Sequence, residues 1–190
     1  MIQIVAGKWK GKSLRVPKNV HLRPTASRVK AAIFNIIEAQ QMKRGLAANL
    51  NGLRCADLFA GVGGLGFEAL SRGAVFCLFV EIEQQNLTAL KRNMEDLGCR
   101  ELCKIFPLAV EAALPRLAKQ EKFDLLFIDP PYELATSPKI LEKVSTLDLL
   151  SENGLIIFEH SPREEIPCPA ALVLHSHRVL GPAAISVFTR

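Results

Sequence analysis

The sequence predicts a doubly wound α/β domain preceded by a small basic extension, and three observations lead there. From Leu53 onward, apolar runs of strand length alternate with segments of helical periodicity. Runs such as Leu125-Leu126-Phe127-Ile128 and Leu155-Ile156-Ile157-Phe158 are apolar on both faces, as central parallel strands covered by helices require. The charge is divided unevenly: residues 1–50 hold ten Lys/Arg and one acid, Glu38, whereas the other 140 residues hold 14 bases and 18 acids. The expected organisation is therefore a basic hairpin and helix over 1–50, packed on a catalytic-sized domain over 51–190.

Elements follow in order. "QIVAGKWKGKSLRVP" alternates around Gly7 and Gly11 and reads as a short hairpin closed by Pro17. In "LRPTASRVKAAIFNIIEAQ", Thr25 can cap a helix whose apolar positions Val29, Ile33, Ile36 and Ile37 keep helical spacing. Strands are expected near 53–58, 75–81, 102–107, 123–129, 154–159, 171–179 and 184–189. Helices are expected over 64–72, 83–97, 110–119 and roughly 136–149. Leu87, Leu90, Met94 and Leu97 share one face of the second of these, and Gly98 supplies its stop. The last two strands follow each other without a helix, which makes them an antiparallel hairpin at the end of the sheet.

At 190 residues, with 49% hydrophobic and 23% charged residues, the chain suits one soluble domain, expected to be a monomer. No apolar run approaches the roughly 18 residues of a membrane span. The N-terminal stretch lacks the pattern of a secretory signal, which points to the cytoplasm. The five cysteines, Cys55, Cys77, Cys99, Cys103 and Cys168, form no CxxC pair and suit reduced core thiols. His175 and His177 could share a strand face, but no third ligand lies near them, and no metal site is expected.

Ligands of a doubly wound sheet bind at the carboxyl ends of its strands. Three features of this sequence fall on that edge. After the first strand, Gly61, Gly63 and Gly66 match GxGxxG, and Glu81, at the end of the second strand, can accept hydrogen bonds from a ribose diol. These residues alone fit NAD and S-adenosylmethionine equally. Asp57 leans toward the second, because a carboxylate there suits an ammonium or a bound water and repels a pyrophosphate; it could also serve only to tie down the loop.

The third feature is "FDLLFIDPPYE", where an apolar strand stops at Asp129-Pro130-Pro131-Tyr132. An amino group on a nucleobase is a poor nucleophile until its two hydrogens are held. Asp129 can accept one and the carbonyl of Pro130, aimed by the fixed φ angles of the two prolines, the other. Tyr132 offers a stacking face worth about 1–3 kcal/mol. Such a corner recognises an amino group on a planar ring and has no use in hydride transfer. The basic extension, with Lys8, Lys10, Lys12 and Arg15, narrows the partner to nucleic acid.

Together, "LRPTASRVKAAIFNII", "CADLFAGVGGLGFEALSRGA", "VEIEQQNLTALKRNM", "FDLLFIDPPYE" and the closing "RVLGPAAISVFTR" resemble, in order and spacing, the RsmD-type bacterial 16S rRNA (guanine-N2)-methyltransferases. The resemblance implies a Rossmann-like seven-stranded methyltransferase fold. It implies methyl transfer from S-adenosylmethionine to the N2 of a guanine in small-subunit rRNA, with the assembled subunit as substrate. Asp57, Phe59, Ala60, Gly61, Gly63, Glu81, Ile82 and Ala109 would line the cofactor. Asp129, Pro130, Pro131 and Tyr132 would hold the base, and Arg23, Thr25 and Arg28 would form the arm motif near the RNA. In "FPLAVEAAL" the chain departs from the family, which places a polar residue near Ala109 to meet the cofactor adenine. A backbone group or Glu111 could take that contact.

Two enzymatic rivals remain on the sequence alone, beside a non-catalytic RNA-binding module that fits the arm and explains none of the strand-edge features. An amino-methyltransferase acting on adenine N6 in DNA or another RNA would use the same corner, although 190 residues leave little room for reading duplex sequence. An NAD-dependent reductase accounts for the glycine loop and Glu81 but not for the Asp-Pro-Pro-Tyr corner.

Overall fold

The computed structural model describes residues 2–17, 27–43, 45, 47–131 and 137–190. Its centre is a seven-stranded sheet built from β3 (Arg54–Asp57), β4 (Phe76–Val80), β5 (Cys103–Phe106), β6 (Phe123–Ile128), β7 (Leu150–His160), β8 (Val173–Leu180) and β9 (Ala183–Thr189). The spatial order is β5-β4-β3-β6-β7-β9-β8. The first five strands in that order are parallel, and β9 and β8 close the sheet antiparallel. After β3 the chain first builds outward to β4 and β5, then returns to add β6 on the other side. The order thus reverses at β3, and the carboxyl ends of β3, β4 and β6 lie at the switch point where sheets of this kind hold ligands in a crevice.

Alternation along the strands separates two cores. Leu125 and Phe127 of β6 face one core with α1 (Ser27–Lys43), α2 (Gly64–Ser71) and α3 (Gln84–Leu97). Leu126 and Ile128 face the other with α4 (Val110–Leu117) and α5 (Ser137–Thr146). Helix α3 buries Leu87, Leu90, Met94 and Leu97 as its spacing predicts and stops at Gly98, whose φ of 61° terminates it.

The N-terminal extension is short, pairing β1 (Ile2–Gln3) with β2 (Ser13–Leu14), but it belongs to the first core through Ile4, Trp9 and Leu14. Its attachment is polar as well. Glu68, fully buried on α2, accepts the amides of Val5 (2.8 Å) and Ala6 (2.9 Å) and the Nε of Arg72 (2.9 Å), and pairs with the buried Nζ of Lys30 at 3.3 Å. The Lys30 ammonium also donates to the Gln3 carbonyl at 2.6 Å. Beside it, Ser71 receives the Trp9 amide, and a Cβ on Gly7 would lie 1.8 Å from the Ser71 carbonyl oxygen.

Four expectations need correction. Lys30 is a buried structural partner, so the basic excess of residues 1–50 overstates the charge offered to solvent. Strand β7 starts at Leu150 instead of 154: the partner of β6 jumps from Leu150 to Leu155, and the polar Ser151, Glu152 and Asn153 form an irregular step that an apolar pattern does not show. Helix α5 ends at Thr146, short of 149, because Asp148 takes a left-handed φ of 51°. Of the thiols, Cys55, Cys77 and Cys99 are buried as expected, whereas Cys168 is exposed.

Candidate active site and nucleic-acid interface

The loop after β3 is held from both sides. The Leu58 amide donates to the Phe127 carbonyl of β6, and the Ala60 amide to the Val80 carbonyl of β4, each at 3.0 Å. Gly61 and Gly63 then take φ values of 54° and 90°, a region that penalises any Cβ. At Gly63 a Cβ would also lie 2.3 Å from the Phe67 ring. The third glycine serves packing: a Cβ on Gly66 would strike Phe79 at 2.3 Å and the Cys77 sulfur at 2.7 Å, so Gly66 lets α2 lie against the sheet.

Asp57 ends β3, and its Oδ2 accepts the Gly66 amide at 3.0 Å, placing a carboxylate at the start of α2 where Gly63 offers no side-chain cap. The loop-tying role and the ligand role are therefore compatible. Burial pushes the Asp57 carboxyl up to about 7; the Gly66 hydrogen bond opposes this, and the negative charges of Asp129 and Glu81 add to it. Three strand ends thus bring three carboxylates within electrostatic reach. Such a set favours a cationic group and opposes a pyrophosphate.

Glu81 follows β4 already oriented. Its Oε1 accepts the amides of Ile82 (2.7 Å) and Glu83 (2.8 Å), and its Oε2 accepts from Asn86 Nδ2 at 3.2 Å. With Oε1 saturated, the capacity left for a diol lies on Oε2. Next to it Ile82 is 58% exposed, an apolar face at the mouth of the crevice. Ala60 is buried, and Phe59 packs on the second core. Ala109 precedes the first turn of α4 and provides no side-chain cap, while Glu111 is exposed. The amides that open α4 have no acceptor within the helix, which leaves a backbone donor near the departure from the family pattern.

Asp129 and the buried Pro130 follow β6 directly, with Pro131 exposed. Tyr132 lies outside the described residues, as do Arg23 and Thr25 of the arm motif. Lys8, Lys10, Lys12 and Arg28 are exposed, and the Lys8 ammonium lies 4.3 Å from the Trp9 ring centroid. Arg15 is committed in part, its Nε meeting Asp96 Oδ2 at 2.5 Å and a terminal nitrogen meeting Oδ1 at 3.2 Å. Among the described residues no group of three or more His, Cys, Asp or Glu is arranged to hold a metal ion, and no helix is long and apolar enough to cross a membrane.

Residues that sequence reasoning passed over connect these parts. Asn93, buried on α3, accepts the Arg15 amide at 2.7 Å and donates through Nδ2 to the Arg15 carbonyl (3.2 Å) and to the Val62 carbonyl of the glycine loop (3.0 Å). Its signal was faint: one of two amides, with Asn86, on the apolar face of an amphipathic helix. Glu68 gave a clearer one, a lone acid among Leu65, Phe67, Ala69 and Leu70.

The family model described as conserved hypothetical protein 95 matches residues 2–189. The chain is 31% identical to ribosomal RNA small subunit methyltransferase D of Escherichia coli strain K12, over 100% of this chain and 90% of the relative. It is also 31% identical to the Haemophilus influenzae protein of the same name, over 95% and 89% respectively. Among solved structures, the Escherichia coli protein yhhF, described there as a methyltransferase candidate, superposes with a TM-score of 0.80 at 28% identity, covering 100% of this chain and 97% of that one. A hypothetical protein of Thermus thermophilus gives a TM-score of 0.80 at 26% identity, covering 98% of each chain. With the strand order, the glycine loop and the carboxylate edge in place, these matches show that the chain belongs to the conserved hypothetical protein 95 family, the RsmD-type methyltransferases.

Proposed function

We propose that this chain transfers a methyl group from S-adenosylmethionine to the exocyclic N2 of a guanine in 16S rRNA, acting on the assembled small subunit. The observation that carries the reading is the convergence of Asp57, Glu81 and Asp129 on one sheet edge beside a backbone-lined loop, in a chain of this family. Bound S-adenosylmethionine would supply an electrophilic methyl on a cationic sulfur. Asp57 would face the ammonium end, Glu81 Oε2 the ribose, and Ile82 and the start of α4 the adenine. Asp129 and the Pro130 carbonyl would hold the two N2 hydrogens, with Tyr132 stacked on the base. Orientation and placed dipoles then provide the acceleration. Nucleoside mass spectrometry of rRNA from a host lacking this gene tests the whole reading. Loss of one N2-methylguanosine from 16S rRNA is expected, and an unchanged nucleoside profile would overturn it.

A pH dependence follows from Asp57. Its carboxyl is raised from 3.8 to about 7 in the unliganded fold, so the fold binds the extra proton and loses stability as pH rises through that window. A cationic ligand prefers the ionised form. Cofactor affinity should therefore fall as pH drops below about 7, approaching tenfold per unit, with proton release on binding near pH 6. Calorimetry in two buffers of different ionisation enthalpy reads that proton, and Asp57→Asn should flatten the profile. Equal affinities at pH 6 and 8 in the wild type would remove Asp57 from the cofactor site.

A further inference from the structure

A cleft of about 270 Å³ lies between the end of β2, with Arg15 and Pro17, and the outer face of α3, with Gln85, Thr88, Ala89 and Arg92. It lies outside the strand-edge crevice, and one wall comes from α3, outside the basic extension. We propose that this cleft binds a phosphodiester of the RNA, which extends the interface from the arm onto α3; the proposal rests on the rRNA reading above.

Two cations converge there. Asp96 engages the Nε and one terminal nitrogen of Arg15, which fixes the plane of the guanidinium and uses two of its five donors. The Arg15 side chain nonetheless remains 58% exposed. Across the cleft Arg92 is exposed, forms no ion pair among the described residues, and adds its positive potential at Asp96 together with Lys12. The residues lining the cleft include these two arginines and no acid, and Asp96 opposes them from beside Arg15, which leaves the cleft positive. Thr88 and Gln85 add exposed polar groups one helical turn apart.

The wall is also rigid. Asn93 holds both backbone groups of Arg15 and, through the same amide, the Val62 carbonyl between Gly61 and Gly63. A phosphate seated on Arg15 would therefore press on a strand end that shares one buried side chain with the cofactor loop. A preformed cationic cleft of mixed polarity suits a sugar-phosphate unit better than an apolar peptide.

The test measures binding of the full chain to purified small ribosomal subunits over a range of salt concentrations. Arg92→Ala should weaken binding about fivefold at low salt, the upper range for an exposed ion pair, and make the log–log salt slope shallower by about one contact. Thr88→Glu, which puts a carboxylate into the cleft at an exposed helix position, should weaken it further. Lys8→Glu with Lys10→Glu gives the arm's share for comparison, and unchanged affinity for S-adenosylmethionine certifies each fold. Wild-type affinity and slope in both cleft variants would overturn the cleft alone. Weaker binding with an unchanged slope would point to a ribosomal protein and overturn it equally. Failure of the wild-type chain to bind subunits would instead bring down the substrate reading itself, and the cleft with it.

Discussion

Replacing Asp129 with alanine is expected to lower methyl transfer by about 10²–10³-fold while S-adenosylmethionine still binds, because the carboxylate is proposed to hold the base. Its place at the end of β6, one residue beyond the Ile128 to Phe158 pairing, puts it on the crevice edge, past the last rung of the ladder. Burial is the main cause of the raised Asp57 carboxyl, but the Asp129 charge adds to it, so the alanine variant should also lower that carboxyl while leaving it above its ordinary range. Asp129→Asn separates the two effects: the amide carbonyl can still accept an N2 hydrogen but carries no charge. Single-turnover transfer of a labelled methyl group, with calorimetry for the cofactor, distinguishes them. If the alanine variant turns over at the wild-type rate, Asp129 has no part in the chemistry.

Glu68→Ala should be strongly destabilising, at about 3–5 kcal/mol, since it strands the buried Lys30 ammonium and the amides of Val5 and Ala6. Against a typical domain stability of about 5–15 kcal/mol this is a large share. Burial already lowers the Lys30 pKa, and Glu68 is what holds it up; without Glu68 the lysine can shed its proton, which limits the cost. Urea unfolding measures the loss, and limited trypsin digestion at Lys8 and Lys10 reports release of the arm before global unfolding. A loss below about 1 kcal/mol would mean that Glu68 does not hold the arm.

The sheet was legible because its strands are apolar on both faces and its helices amphipathic, and the terminal hairpin because no helix separates β8 from β9. The crevice was legible for a related reason: Asp57, Glu81 and Asp129 each end an apolar run, so their common edge follows from the topology. What escaped is polar and non-local. Pattern reading treats Lys30 as a surface cation because it cannot see that the chain returns with Glu68 to bury it, and it cannot see that the exposed Arg15 meets Asp96. Likewise the step in β7 is polar, and only its pairing with β6 marks it as strand. The occupancy of Glu81 Oε1 by two amides is a matter of loop geometry, which residue type does not encode.

The arm's anchors have a consequence for the order of assembly. Its bonds to Ala6, Trp9 and Arg15 span 62 to 78 residues of chain. At a synthesis rate of about 5–20 residues per second, the arm waits roughly 3–16 seconds for its partners to be made. During that interval Ile4, Trp9 and Leu14 have no core to enter, and docking is a late, high-contact-order event. The same Lys8, Lys10 and Lys12 that face solvent in the finished fold flank those apolar residues in the nascent chain, the placement by which charges oppose aggregation of an exposed apolar segment.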